Sequence, residues 1–235
     1  MARPYHIESG YRHSSPCHSS SRSRKKSAAS TPRQVVEKYK LDFVSRVAIR
    51  VFLGIYLPGI GLLVFLVYRS VSVRPATILI FGGYLSWTLF EYWVHRLVLH
   101  WELRQRFLAR LYWMGHGHHH TYPDDPLRLV FPLIFSVPIL LGTAGIFVLA
   151  IGAPSAYGFS AGWIFGYVLM DTIHYLIHRR RPANRVGRWL HELHMRHHFE
   201  EGSHGFGIAS PWWDSLFGTT YDRAIARSRR AAILR

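Results

Sequence analysis

Residues 129–170 contain no Asp, Glu, Lys, Arg or His, and this long uncharged stretch limits what the chain can fold into. A single helix of that length would far exceed the roughly 20 residues that cross a bilayer. A soluble helical protein with apolar core helices is the less favoured alternative, because charged residues normally interrupt such helices. The turn-forming sequence Gly-Ala-Pro-Ser at 152–155 divides the stretch. It therefore predicts two consecutive membrane-spanning helices.

Two further segments without charged side chains precede it, at residues 51–68 and 75–90. With their flanks, both are long enough to cross a bilayer. The short polar link RSVSVRP between them predicts a helical hairpin. The predicted fold class is therefore an all-α integral membrane protein with four transmembrane helices and a helical cap on the cytosolic side.

The ends of the chain differ from this apolar part. Residues 1–40 are rich in Ser, Arg and Lys and contain only two acids, so we expect a disordered basic tail. A transit peptide and a nucleic-acid-binding segment are less favoured interpretations of it. The membrane domain is predicted at 41–222 and a basic tail at 223–235. Cys17, the single cysteine, excludes an intrachain disulfide and a thiolate metal site.

The formal net charge of +16 is distributed unevenly. If four helices cross the membrane, the basic tail and the arginine-rich segments near 96–110 and 179–196 all lie on one side. The positive-inside rule makes that side cytosolic, together with both termini. Every histidine after residue 90 lies at or near the same side.

The spacing of those thirteen histidines indicates a metal site. The triplets 116/119/120 and 194/197/198 each follow an i, i+3, i+4 pattern, and 174/178 are one turn apart, so each set shares a helix face. His95 and His100 are five residues apart and suit a helix end followed by a loop. Unligated histidines in headgroup contact or pH sensing are the alternative. About eight to ten imidazoles exceed the ligands of one ion and match two.

Few carboxylates accompany the histidines, so the set of direct ligands is expected to be almost entirely imidazole. Asp171 precedes His174 by three residues and His178 by seven, on the same helical stripe. We interpret it as an outer carboxylate that fixes the tautomer of an imidazole, or otherwise as a helix-end carboxylate. No further catalytic residue is predicted.

Four segments resemble the fatty acid hydroxylase superfamily, and most closely its fatty acid 2-hydroxylases: HRLVLH at 95–100, HGHHHTYPDDPLRLVFP at 116–132, DTIHYLIH at 171–178 and HMRHHFEEGSHGFGIASPWWDSLFGT at 194–219. The resemblance extends from about residue 90 to 220. It implies that two metal ions are held by ten residues: His95, His100, His116, His119, His120, His174, His178, His194, His197 and His198. His118, His191 and His204 fall outside this set.

The resemblance implies a membrane-bound monooxygenase that uses O2 to hydroxylate a fatty acyl chain at carbon 2. Activation of O2 requires a redox metal pair, so iron is expected for activity, whereas zinc in the site would give an inactive or substituted form. The acyl chain would lie beside the metals among aromatic side chains of the apolar helices: Trp87, Phe90, Tyr92, Trp93 and Tyr167. No individual residue is assigned to substrate.

Eukaryotic members of the resembled family often carry a cytochrome b5-like haem domain, for which the 40-residue tail is too short. We therefore expect no built-in haem domain and a separate electron donor, namely a ferredoxin, cytochrome or reductase. The alternatives are a sterol or carotenoid hydroxylase or desaturase of the same superfamily and a non-catalytic membrane metal-binding protein. No nucleic-acid partner is expected.

Overall fold

The computed structural model describes residues 45–100, 112–200 and 203–221, and every regular element within these ranges is helical. The predicted tails at 1–40 and 223–235 lie outside the described residues. Four long helices form one layer. At one end they meet a smaller layer of short helices and loops, which carries most of the histidines.

Helices α1 (Ile49–Ser70) and α2 (Val73–Val94) form the predicted helical hairpin. The link is short. The Val71 N–H donates a 2.8 Å hydrogen bond to the Val67 carbonyl at the end of α1, and α2 begins two residues later. The hydroxyls of Tyr68 and Thr77 lie 3.1 Å apart across the link. The predicted hairpin is therefore confirmed as a pair of helices.

Helices α4 (Leu133–Ile151) and α5 (Ala153–Arg179) divide the long uncharged stretch at the predicted place. Gly152 adopts φ 81°, a conformation that glycine tolerates without the steric cost of a Cβ atom. Pro154 follows in the first turn of α5, where its missing N–H costs no helical hydrogen bond. The first residues of the stretch, Leu129 and Val130, form a buried loop rather than part of a helix.

Among the described residues, α1 and α4 are the two helices that are long and apolar enough to cross a membrane. Most of their surface is exposed, as expected of helices that face lipid. Helices α2 and α5 contain more aromatic and polar residues, many of which are buried. The four-span arrangement therefore stays a prediction.

Helix α5 lies at the centre and packs against α1, α2 and α4. Its crossing with α2 is very close: a Cβ atom at Gly162 would collide with the Ile80 carbonyl, and one at Gly83 would collide with the Phe159 carbonyl. Small residues let helix backbones approach in this way. The crossing fixes the relative positions of the histidines that end α2 and α5.

The end layer consists of short elements: the π-helical turns π1 (His95–Leu99) and π2 (Trp113–Gly117), then α3 (His118–Thr121), α6 (Arg185–Phe199) and α7 (Trp212–Phe217). Asn184 caps α6 by accepting a 2.7 Å hydrogen bond from the Gly187 N–H. Helix α7 packs beside the end of α2, where Phe217 stacks on Tyr92 with ring centroids 5.1 Å apart.

We expect Gly162→Ala to destabilise the protein by about 1–3 kcal/mol, because the added methyl group overlaps the backbone of α2. Thermal unfolding in detergent measures this effect. Gly142→Ala in α4 is the matched control, since a Cβ atom there meets nothing within 4 Å. Equal melting temperatures for the two variants would contradict a tight α2–α5 crossing.

Candidate metal centre

The first histidine pair is brought together by a π-helical turn. Turn π1 continues α2 directly, and His100 follows its last residue. Because π-helical hydrogen bonds join residues five apart, the turn suits a pair with this spacing better than an α-helix would. The Nε2 atoms of His95 and His100 lie 3.0 Å apart. The sequence predicts a helix end followed by a loop. The structure instead has a π-helical turn, which is one residue wider than an α-helical turn and so brings residues five apart together.

The HGHHH tract divides its side chains between two directions. The side chains of His116 and His120, which are one turn apart, point the same way, and their Nε2 atoms lie 2.8 Å apart. The His119 Nε2 atom instead lies 2.8 Å from that of His174. His118 packs against the Trp113 ring with centroids 5.0 Å apart.

Helix α6 repeats this division in the opposite sense. The Nε2 atoms of His194 and His198 lie 3.0 Å apart, and that of His194 also lies 2.9 Å from His178 Nε2. The His197 Nε2 atom lies on the other side, 2.9 Å from His100 Nε2. Each i, i+3, i+4 triplet therefore gives two imidazoles to one cluster and one to the other.

The result is two groups of five imidazoles in which the candidate ligand atoms all lie within 4.8 Å of one another. Group A consists of His95, His100, His116, His120 and His197. Group B consists of His119, His174, His178, His194 and His198. These are the ten histidines of the sequence prediction. His118, His191 and His204 belong to neither group.

The spacing of the nitrogens fits metal ligation. Two nitrogens about 2.1 Å from a shared ion and at right angles to each other are roughly 3.0 Å apart. Nearest neighbours in both groups are separated by this amount, including 2.9 Å for His100 and His197 and 2.8 Å for His119 and His198. Five imidazoles per group exceed the four ligands of a structural zinc site and suit iron with five or six ligands.

Burial keeps the imidazoles in their metal-binding form. It lowers the pKa of His100 to about 3, with a further contribution from His197, and it lowers the pKa of His198 to about 3 beside His178 and His197. Burial and the neighbouring imidazoles also hold the pKa of His116 well below its ordinary value. The neutral ring offers a lone pair to an ion, whereas the protonated ring does not.

Backbone carbonyls orient the outer nitrogens of several rings. The Nδ1–H of His95 donates to the Phe206 carbonyl at 2.6 Å, and that of His197 donates to the His204 carbonyl at 2.7 Å. His174 hydrogen-bonds the Leu129 backbone. With the proton held on Nδ1, the Nε2 lone pair points inward, which is the usual second contact of a metal-ligating histidine.

Asp171 lies beside this arrangement but contacts a loop. Its Oδ2 accepts a 2.9 Å hydrogen bond from the Phe131 N–H, two residues after the Leu129 backbone that holds His174. The structure thus connects Asp171 to His174 through the loop. Its role in fixing a tautomer stays a prediction.

A cavity of about 370 Å³ adjoins both groups. His95 and His116 of group A and His119 and His174 of group B all line it. Most of its remaining wall is apolar and comes from α2, α4, α5 and the loop before α4, for example Phe90, Val94, Phe131, Ile139, Leu140 and Met170. Its size is within the usual range for small-molecule sites, roughly 300–1,000 Å³.

The aromatic residues named from the sequence fall into two sets. Trp87, Phe90 and Tyr167 line the cavity. Tyr92 and Trp93 pack against Phe217 of α7 instead, with ring centroids 5.1 and 4.9 Å away. Three of the five therefore line the cavity beside the histidines.

A sequence model of the fatty acid hydroxylase family matches residues 80–219, a range that begins in α2, ends after α7 and contains all ten clustered histidines. The chain belongs to this family. The family assignment inferred from the four histidine segments is thereby confirmed.

The chain is similar to plant and mammalian proteins that are named as fatty acyl or fatty acid 2-hydroxylases. The chain is 34% identical over 186 residues to the dihydroceramide fatty acyl 2-hydroxylase FAH1 of Arabidopsis thaliana, covering 77% of this chain and 78% of the relative. It is 36% identical over 137 residues to FAH2 of the same plant, covering 58% of each. It is 39% identical to the fatty acid 2-hydroxylase of Rattus norvegicus, but spans only 38% of that protein.

A solved structure shows the same fold. It is described as full-length scs7p with only the hydroxylase domain visible. The two chains superpose with a TM-score of 0.72 at 29% identity, over 75% of this chain and 68% of the other.

Sequence reasoning assigned no role to the backbone of residues 203–221, which positions two of the group A rings. Its carbonyls bind His95 and His197, and the carboxylate of Asp214 binds its backbone. The pair of glycines in GFG marks this segment in the sequence. The reason for the second glycine is structural, because a Cβ atom at Gly207 would lie 2.9 Å from Asp214 Oδ2. Such close packing is visible only in three dimensions.

We expect the purified protein to hold two metal ions per chain and His116→Ala with His120→Ala to hold one, because the group B rings stay complete. His118→Ala, in the same tract, is the matched control and should retain both ions. Elemental analysis by mass spectrometry measures the ratio. A single ion in the parent protein, or loss of metal in the His118 variant, would contradict this assignment.

Proposed function

We propose that this protein is a membrane-bound dimetal monooxygenase that hydroxylates a fatty acyl chain at carbon 2, using O2 and external electrons. The observation that carries the proposal is the apolar cavity whose wall includes imidazoles of both groups. A hydrocarbon chain in this cavity would lie against the metal-binding nitrogens. The named activities of the fatty acyl 2-hydroxylase relatives support the same reaction.

Iron is the proposed metal in both groups. The chemistry that an iron pair supplies when bound is the activation of O2, which no amino-acid side chain performs and zinc cannot replace. The contribution of the chain is to hold ten neutral imidazoles inward and to surround the reacting carbon with apolar side chains. Asp171 would support His174 by holding the loop at 129–131 in place.

The proposed substrate class is an acyl lipid, and the dihydroceramide and ceramide named for several relatives make a ceramide-linked chain the favoured form. The apolar wall offers few polar contacts to a headgroup, so contacts with the hydrocarbon portion would supply most of the binding.

We further propose that all four long helices cross the membrane, with the end layer and both termini on the cytosolic side. The exposed arginines next to α5 and α6, including Arg180, Arg185 and Arg188, support this orientation through the positive-inside rule. Electrons would come from a separate ferredoxin, cytochrome or reductase that reaches the cytosolic face.

Expression in a host that lacks 2-hydroxy lipids tests the proposed reaction. We expect new 2-hydroxyacyl chains, with oxygen derived from labelled O2, when total lipids are hydrolysed and measured by mass spectrometry. His119→Ala with His197→Ala removes one ring from each group and should abolish the product. Identical lipids with and without the active protein, despite bound iron and a supplied reductase, would refute the proposed hydroxylation.

The cavity makes a separate prediction about acyl binding. Ile139→Trp adds bulk at the cavity wall and should lower the yield of hydroxylated long chains by about tenfold, without changing metal content. Ile146→Trp, two turns further along α4 and 62% exposed, is the matched control and should leave the yield unchanged. Equal yields from the two variants would place the acyl chain elsewhere.

A further inference from the structure

The loop at 204–210 is held by two buried carboxylates. Three successive backbone N–H groups donate to them: those of Phe206 and Gly207 to Asp214, at 2.9 and 2.8 Å, and that of Ile208 to Glu91, at 2.9 Å. Hydrogen bonds to a charged or strongly polar acceptor of this kind are stronger than ordinary backbone bonds. The loop is therefore fixed on both sides by side chains from other elements.

The same loop supplies the carbonyls that orient two rings of group A. The Phe206 carbonyl accepts from His95 and the His204 carbonyl accepts from His197. N–H groups thus bind the carboxylates while carbonyls of the same short segment bind imidazoles. Movement of the loop would shift or rotate both rings.

Asp214 is the residue on which most of these bonds converge. It is 3% exposed, and its Oδ1 also accepts a 2.7 Å hydrogen bond from the Thr219 hydroxyl. Thr219 in turn lies 2.9 Å from the hydroxyl of Tyr92, which is fully buried in α2. Asp214 therefore connects the loop to α2 one turn before His95.

We propose that Asp214 is a positioning residue for group A: through the 204–208 backbone it fixes the orientation of His95 and His197 and thereby raises the metal affinity of that group alone. The proposal rests on the metal centre of the proposed function. Group B does not depend on this loop for His174, which hydrogen-bonds the separate Leu129 backbone. The effect of Asp214 should consequently be confined to one group.

Asp214→Asn tests this role because it preserves the shape of the side chain and replaces one acceptor oxygen with a donor group. The amide cannot accept all three bonds from Phe206, Gly207 and Thr219. Substitution of outer partners of metal ligands typically lowers metal affinity by about 10–100-fold. We expect a reduction of this size at group A.

Two variant backgrounds of this protein separate the groups. His119→Ala with His174→Ala leaves group A as the complete site, and His116→Ala with His120→Ala leaves group B. Each metal-free protein is titrated with cobalt(II), and the visible absorption of the bound ion reports affinity and ligand arrangement. Asp214→Asn should weaken binding and alter the spectrum in the first background and change neither in the second.

The control is Asp124→Asn, which makes the same chemical change at an exposed position and should affect neither background. If Asp214→Asn fails to fold, as judged by thermal unfolding, Thr219→Val takes its place. That variant removes one hydrogen bond to Asp214 and should weaken cobalt binding at group A in the same direction, by a smaller factor.

Equal weakening in both backgrounds would show a general structural role and overturn the proposal, as would unchanged binding at group A. These results differ from a failure of the metal centre itself. In that case the protein with all ten histidines would bind no cobalt pair, and both the centre and the role of Asp214 would be refuted.

Discussion

The close approach of α2 and α5 is the contact on which the positions of the histidines depend. Gly83 and Gly162 allow the two backbones to touch, so His95 at the end of α2 and His174 near the end of α5 reach the same layer. In the proposed membrane arrangement, dispersion forces and shape complementarity, rather than the hydrophobic effect, would hold the helices together, which makes such small-residue contacts especially important. Helices α1 and α4 then pack on the outer sides of α5 and present most of their apolar surface outward.

The polar chemistry of the end layer follows from the cost of burying imidazoles. Six of the ten clustered histidines are buried and four are partly buried. Each nitrogen of a buried ring needs a partner, and for His95 and His197 a backbone carbonyl provides one on the outer side. The inner nitrogens face one another, an arrangement that a bound cation stabilises and that neutral rings alone satisfy poorly.

Much of this arrangement was predictable from sequence because helical spacing and charge are local properties. The break at Gly152, the hairpin at 71–72 and the helical spacing of the two histidine triplets all follow from patterns within short segments, whereas the full set of ten histidines follows from the family resemblance. The division of each triplet between two groups could not be predicted in this way. The spacing places His116, His119 and His120 on one helix face. The direction of each ring depends on its neighbours from other elements, such as His100 for His116 and His174 for His119. The π-helical turn after α2 was likewise hidden, since the five-residue spacing alone also fits a loop.

The crossed sharing of the two triplets has a mechanical consequence. Helix α6 places His194 and His198 in one group and His197 in the other, and the HGHHH tract does the reverse. A rotation of α6 as a rigid body would move inner nitrogens of both groups at once. A displacement of α6 therefore cannot relax one group while the other stays in place. A rigid shift of α6 is therefore resisted by contacts in both groups, whereas the orientation of single rings can change within one group.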